Sequence, residues 1–270
     1  MKEDLSSLWR GTSEELLKAL HILTRDGKLN ADSRRKLKQV HHLAQLIEPL
    51  IRKLHTPESG LTVVDMGAGK SYLGFILNDL YLKNLSGSRM ISIESRPELI
   101  ERSKKLASDS KFANMDFIAS SISDARINES VGTVGLVTAL HACDTATDDA
   151  IRFGLQHGAR AFALVPCCQA ELARQMSESK SPDPSPLIRH PLHRREFGSL
   201  LTNVLRSLYL SSLGYQVTVT EVVGWEHSMK NELILAEQKS DPEHPEAKRS
   251  AQQLEKLLVE YCVTPHFMKR

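Results

Sequence analysis

The sequence is short of the features that would tie a chain to an oxidising compartment, a membrane or a polyanion. It has four cysteines in 270 residues, two of them adjacent. That is not the disulfide framework of a small secreted fold. No run reaches the ~18 consecutive apolar residues of a membrane span, so no membrane partner is expected. The first ten residues are polar and of mixed charge, without the apolar stretch of a signal peptide. Aromatic residues make up 5%, too few for bases to stack in succession along an extended groove. An excess of one charge is also lacking: 35 Lys+Arg against 33 Asp+Glu leaves +2. This does not by itself imply a polyanionic partner, although local patches stay open. What is there is ordinary for a globular protein, 41% hydrophobic and 25% charged, at a length ample for a sizeable core. A soluble protein in a reducing, cytoplasmic setting is the expectation.

Residues 1–58 read as a helical extension. Thr12 and Glu15 have capping-box spacing ahead of Leu16, Leu17 and Leu20, and Gly27 is a stop signal. Leu37, Val40, Ala44, Ile47 and Ile51 recur at helical spacing and predict a helix over Asp32–Leu54. Arg34, Arg35, Lys36 and Lys38 cluster near its start. From residue 61 short apolar runs alternate with helical stretches. Strands are predicted at Leu61–Asp65, Met90–Glu94, Asp116–Ala119, Val134–Leu140 and Ala161–Val165. Helices fall at Tyr72–Leu82, Pro97–Ala107 and Thr147–Gln156. Repeated βαβ units predict an α/β fold with a doubly wound, mostly parallel, Rossmann-like sheet. Gln216–Val223 and Glu232–Ala236 add an antiparallel hairpin, for seven strands in all. Residues 59–238 thus form the sheet domain, and 239–270 a polar linker with a terminal helix over Ala251–Tyr261. Ser177–Pro191, with four prolines, is expected as a mobile loop, because proline cannot continue a helix.

The densest signal is Val63-Val64-Asp65-Met66-Gly67-Ala68-Gly69-Lys70-Ser71-Tyr72. A strand ending in an acid, a Gly-x-Gly turn and a helix make an arrangement that binds a nucleoside-bearing ligand. Glycine lets the backbone approach the ligand closely, and the helix start offers unpaired N–H groups. Three ligands compete. A Walker A loop would need its first glycine at Val64, inside the strand. A dinucleotide fingerprint would need a third glycine where Tyr72 stands. S-adenosylmethionine (SAM) needs neither, and fits best, with Asp65 facing its methionine part. Glu94 ends the second strand, where a carboxylate accepts hydrogen bonds from both ribose hydroxyls. A Gln at 94 is expected to lose less affinity than an Ala.

The turn resembles the first motif of class I SAM-dependent methyltransferases. Ala139-Leu140-His141-Ala142-Cys143-Asp144-Thr145-Ala146-Thr147-Asp148, joined to Val165-Pro166-Cys167-Cys168-Gln169, narrows the likeness. Together they resemble the methyltransferase domain 32 family, which is related to acceptor-stem tRNA 2′-O-methyltransferases. Asp144 departs from the more usual glycine after the cysteine. The resemblance covers roughly residues 33–237. It implies SAM as cofactor, held by a candidate set of Asp65, Gly67, Ala68, Gly69, Tyr72, Glu94, Ser121, Ile122, Leu140 and His141. It leaves the acceptor open, with RNA slightly ahead of a small molecule or protein, and a catalytically silent SAM-binding protein as the alternative class.

Ligands of open α/β sheets bind beyond the carboxyl ends of the strands. His141, Cys143 and Asp144 follow the fourth predicted strand, and Cys167, Cys168 and Gln169 the fifth. Methyl transfer relies most on alignment. His141 or Asp144 is the candidate base if the acceptor must lose a proton. Arg194 or Arg195, from a lid spanning 177–195, is the candidate contact for an anionic acceptor. His190, His193, His227, Lys230 and Asn231 are further polar candidates on this side. No metal is expected: adjacent cysteines rarely share one ion, and Cys-x-x-Cys is absent.

Overall fold

The computed structural model describes residues 11–24, 26–29, 31–127, 133–140, 142–167, 169–178, 185–222 and 232–269. Two helices come first, α1 (Glu14–Ala19) and α2 (Ala31–Leu54). Then β1 (Thr62–Met66), α3 (Tyr72–Leu80), β2 (Arg89–Glu94), α4 (Pro97–Asp109) and β3 (Met115–Ala119) alternate. They are followed by β4 (Leu136–Leu140), α5 (Ala146–Gln156), β5 (Ala161–Val165) and α6 (Glu171–Glu178). The chain continues through α7 (Pro186–Arg189), α8 (Pro191–Ser212), β6 (Tyr215–Glu221), β7 (Glu232–Gln238) and α9 (Pro245–Glu260).

The seven strands form one sheet in the order β3-β2-β1-β4-β5-β7-β6. β1 to β5 pair in parallel, while β7 runs antiparallel to both β5 and β6, as the sequence predicts. Strand parity then sorts the core. Val63 packs in one layer with Leu37, Ile47 and Ile51 of α2 and Phe75 of α3. Val64 and Met66 face the other layer, with Ile151 of α5 and Leu210 of α8. Arg34 and Lys38 stand on α2, which packs in the Val63 layer, and Arg194 and Arg195 at the start of α8, whose Leu210 packs in the other. Beyond the sheet, Leu201 and Leu205 of α8 pack with Leu254 of α9 and with Phe267.

Three sequence expectations need correction. The first helix is capped by Ser13, whose Oγ accepts from the Leu16 N–H at 3.2 Å, one residue after Thr12. The segment Ser177–Pro191 is not one loop: residues 185–191 include α7 and the start of α8, and 179–184 lie outside the described residues. Pro186 and Pro191 each open a helix. Proline is excluded from a helix interior but suits its first turn, where its missing N–H has no intrahelical partner to lose. Pro245 does the same for α9, so that helix starts six residues before Ala251 and takes up part of the predicted linker. The lid over 177–195 accordingly gives way to helix across 191–195. No helix among the described residues is long and apolar enough to cross a membrane.

Candidate active site

β1 leads into a turn in which Gly67 has φ +66° and Gly69 φ +58°. These left-handed values cost a residue with a Cβ ~1–2 kcal/mol. The turn is pinned from below. The Ala68 N–H donates to the Ile93 carbonyl at 2.9 Å, and the Ser71 N–H to the Ala68 carbonyl at 2.7 Å. A Cβ on Gly67 would meet nothing nearer than Ile122 Cδ1 at 3.5 Å, and one on Gly69 nothing nearer than the Arg96 guanidinium at 3.9 Å. The turn therefore presents its backbone to a space whose nearest walls are Ile122 and Arg96. At the start of α3 the buried Ser71 Oγ finds no hydrogen-bond partner among the described residues.

Glu94, 5% exposed, stands at the end of β2 beside this space. Its Oε2 accepts from the Gly69 N–H at 2.8 Å. Its Oε1 accepts from the Arg96 backbone N–H at 3.1 Å and from Arg96 Nε at 2.8 Å. Burial opposes its ionisation, but the bonds from Arg96 and Gly69 outweigh burial and hold its pKa below the ordinary carboxylate value. Asp65 behaves differently. It is 2% exposed, its Oδ1 accepts from Thr138 Oγ1 at 2.8 Å, and the Gly74 N–H bonds it from α3. Its carboxyl is turned into the protein beneath α3, and burial pushes its pKa up to about 7. It ties the end of β1 to β4 and to the first turn of α3.

The other predicted cofactor residues separate. Ile122 covers Gly67. Ser121 turns back on itself, donating to Asp124 Oδ2 at 2.7 Å. Tyr72 and Lys70 line a cleft of about 200 Å³ with Leu20, His21 and Arg102, between the end of α1 and α4. Leu140 packs in the layer of α2 and α3. His141 lies outside the described residues, as do Cys168, His227, Lys230 and Asn231.

On the side where the sequence places the acceptor, β4 and β5 end in register, Leu140 beside Val165. Asp144, at φ +51°, reaches across to the next crossover. Its Oδ1 accepts from the Ala170 and Glu171 N–H groups at 2.9 and 3.1 Å, and its Oδ2 from Arg174 at 2.9 Å. It thus caps α6, not the α5 that follows it. These bonds outweigh partial burial and lower its pKa, so it is ionised and fully engaged, a poor candidate base. Arg194 donates to the Ile188 carbonyl at 3.3 Å, bracing α7 on α8, and His190 and His193 meet edge to face at 5.3 Å between ring centres.

Behind this loop lies a polar network that the sequence reading missed. Arg206 of α8, with its side chain 1% exposed, donates to Asp148 Oδ1 at 2.5 Å, to Asn203 Oδ1 at 3.2 Å and to the Asp144 carbonyl at 2.7 Å. Gln169 donates to the same Asn203 oxygen at 3.1 Å, and Asn203 to Glu232 at 2.8 Å. The available signal was helical spacing. Thr202, Asn203 and Arg206 fall between Leu201, Leu205 and Leu210, which puts polar groups on a buried face. Arg96 and Arg174, partners of Glu94 and Asp144, were missed too.

Asp144→Ala is expected to cost about 1 kcal/mol, as the loss of a helix cap does. The wild-type carboxyl has a lowered native pKa, so its stabilisation is present above the unfolded value and lost as pH falls through the native one. Urea melts at neutral and acid pH should show the variant deficit at the former and its disappearance at the latter. An equal deficit at both would remove the carboxylate from the account. Among the described residues no group of three or more His, Cys, Asp or Glu is placed to hold a metal ion.

Residues 35–175, more than half of the chain, match the model of a family described as a methyltransferase domain. The chain belongs to this methyltransferase family. Its fold is shared with the SAH-bound methyltransferase PaMTH1 of Podospora anserina at TM-score 0.51 and 11% identity, covering 89% of this chain and 97% of that one. It is shared likewise with the SAH-bound magnesium protoporphyrin IX methyltransferase of Synechocystis PCC 6803, at TM-score 0.50 and 13% identity over 84% and 93%. The CMeT domain of the citrinin polyketide synthase gives TM-score 0.51 and 17% identity, covering 88% of this chain and 60% of that one. No curated protein matches the chain in sequence.

Proposed function

We propose that the chain is a SAM-dependent methyltransferase acting on an RNA acceptor. The observation that carries the cofactor is the cradle at Gly67–Gly69, a left-handed turn whose Cβ positions are bounded only at contact distance, by Ile122 at 3.5 Å and Arg96 at 3.9 Å. The residues present fit the ligand. Gly67, Ala68 and Gly69 permit close approach, Glu94 offers an ionised carboxylate to the ribose hydroxyls, Ile122 offers an apolar wall for the base, and Ser71 Oγ is a buried polar atom in need of a partner. Bound there, SAM supplies an electrophilic methyl group on a sulfonium, with a neutral thioether as leaving group.

The chain's own contribution is alignment, which brings a reacting pair into an effectively unimolecular geometry. The loops after β4 and β5 stand where an acceptor would approach. With Asp144 committed to α6, a base role falls to His141 for an acceptor that must shed a proton. The RNA half of the reading is supported by Lys70, Arg96 and Arg174. These exposed cations follow β1, β2 and β5 along the carboxyl edge, and contacts to phosphate dominate nucleic-acid affinity.

Gly67→Val is expected to leave a folded protein without measurable SAM binding by calorimetry. Unchanged affinity would refute the cofactor site. Incubation with methyl-labelled SAM and host-cell extract, fractionated into RNA, protein and metabolites, tests the acceptor. Label in the RNA fraction supports the reading, and label confined to another fraction replaces the acceptor. No label from a chain that binds SAM points to a silent binding protein.

A further inference from the structure

Cys143 and Cys167 lie on the two loops that follow β4 and β5, with their Sγ atoms 2.9 Å apart. We propose that they form a reversible disulfide, a thiol-oxidation site at the mouth of the acceptor side that is independent of which acceptor is used. A covalent S–S bond is ~2.05 Å long, so less than about 1 Å of movement closes it.

The approach is built into the fold and does not rest on two floppy side chains. Leu140 and Val165 are paired neighbours in the sheet, which sets the two loops side by side. Ala142 is fixed through its carbonyl, which accepts from Thr147 Oγ1 at 2.7 Å. Asp144, the residue after Cys143, is held at both ends. Its carbonyl accepts from Arg206 and its carboxylate from the Ala170 and Glu171 N–H groups just beyond Cys167. These bonds hold the backbone on either side of Cys143 and just beyond Cys167, so the two loops that carry the sulfurs are set close together before any oxidant arrives, and such pre-alignment raises the rate of an intramolecular closure.

Exposure assigns the roles. Cys143 is exposed and Cys167 half-buried, so the outer thiolate meets a solvent oxidant and the inner one resolves the product. With oxidised glutathione as oxidant the steps balance. The Cys143 thiolate attacks one sulfur of the glutathione disulfide, whose S–S bond breaks and releases one reduced glutathione. The Cys167 thiolate then attacks Cys143 Sγ in the mixed disulfide, forming the internal bond and expelling the second glutathione. The pair gives up two electrons and two protons, and one glutathione disulfide becomes two thiols.

The test uses the full chain, reduced and then exchanged into oxidised glutathione. Intact mass is expected to fall by two hydrogens with no adduct, and tryptic mapping to join the peptide containing Cys143 to that containing Cys167 and Cys168. Cys167→Ser should stop the reaction at a glutathione adduct on Cys143, Cys143→Ser should abolish the cross-link, and Cys168→Ser should leave it intact. A wild-type chain that stays reduced or accumulates an unresolved adduct overturns the proposal. A cross-link that runs through Cys168 or Cys262, or a metal ion that resists chelation and blocks the thiols, overturns it as well.

Discussion

Arg206→Met is expected to destabilise the chain by about 3–5 kcal/mol, the range for removing one partner of a buried ion pair. Both side chains are 1% exposed, and Asp148 Oδ2 has no hydrogen-bond partner among the described residues. With the guanidinium gone, Asp148 keeps its burial and loses its compensation. Burial already raises its pKa against the pull of Arg206, and the substitution raises it further. A buried acid with a raised pKa costs stability as pH climbs above its unfolded value. The deficit should therefore be smaller in acid, where the carboxyl is protonated. The double change Arg206→Met with Asp148→Asn should recover part of the loss, because the two sites are in direct contact and their effects do not add. Urea midpoints with unchanged slope measure all three. A single-variant loss below about 1 kcal/mol would mean that solvent reaches the pair.

Glu94→Ala is expected to weaken SAM binding roughly 10- to 150-fold, the equivalent of ~1.5–3 kcal/mol for hydrogen bonds to a charged group. The geometry also revises the expectation for Glu94→Gln. The two carboxylate oxygens already face donors, the Gly69 N–H on one and the Arg96 backbone and side chain on the other. An amide nitrogen in either place sets donor against donor, so glutamine should lose affinity almost as alanine does. Calorimetry on folded variants decides this. Wild-type affinity in both variants would leave Glu94 as a tie for the glycine turn and remove it from the ligand.

The parallel sheet and its crossings were legible because buried strands and amphipathic helices differ in period, and the pattern changes at residue 61 in full view. The glycine turn was legible for the same reason that it works: few residues tolerate its backbone. Asp65 was misread because its place at a strand end suggested a ligand. Its parity with Val63 puts it on the layer that α3 covers, and the crossing of α3 seals it in. Asp144 was misread because its partners, Ala170 and Glu171, lie 26 and 27 residues away, and no local pattern announces a cap supplied from another crossover. The prolines were read as breakers alone, although Ser185 directly before Pro186 is a start signal for a helix.

The position of β7 between β5 and β6 has a consequence for how the chain is made. β6 leaves the ribosome first, yet among the described strands its neighbour is β7 alone, and β5 is likewise bare on that side until β7 emerges. A nascent chain that ends short of Glu232 therefore holds five strands able to pair, with Phe162 and Leu164 on an open edge and a sixth strand that has nowhere to add. Unpaired hydrophobic edges are sites of association between incomplete chains. Emergence of residues 232–238 is thus the step that closes the sheet, and the interval before it is when the chain most needs shielding.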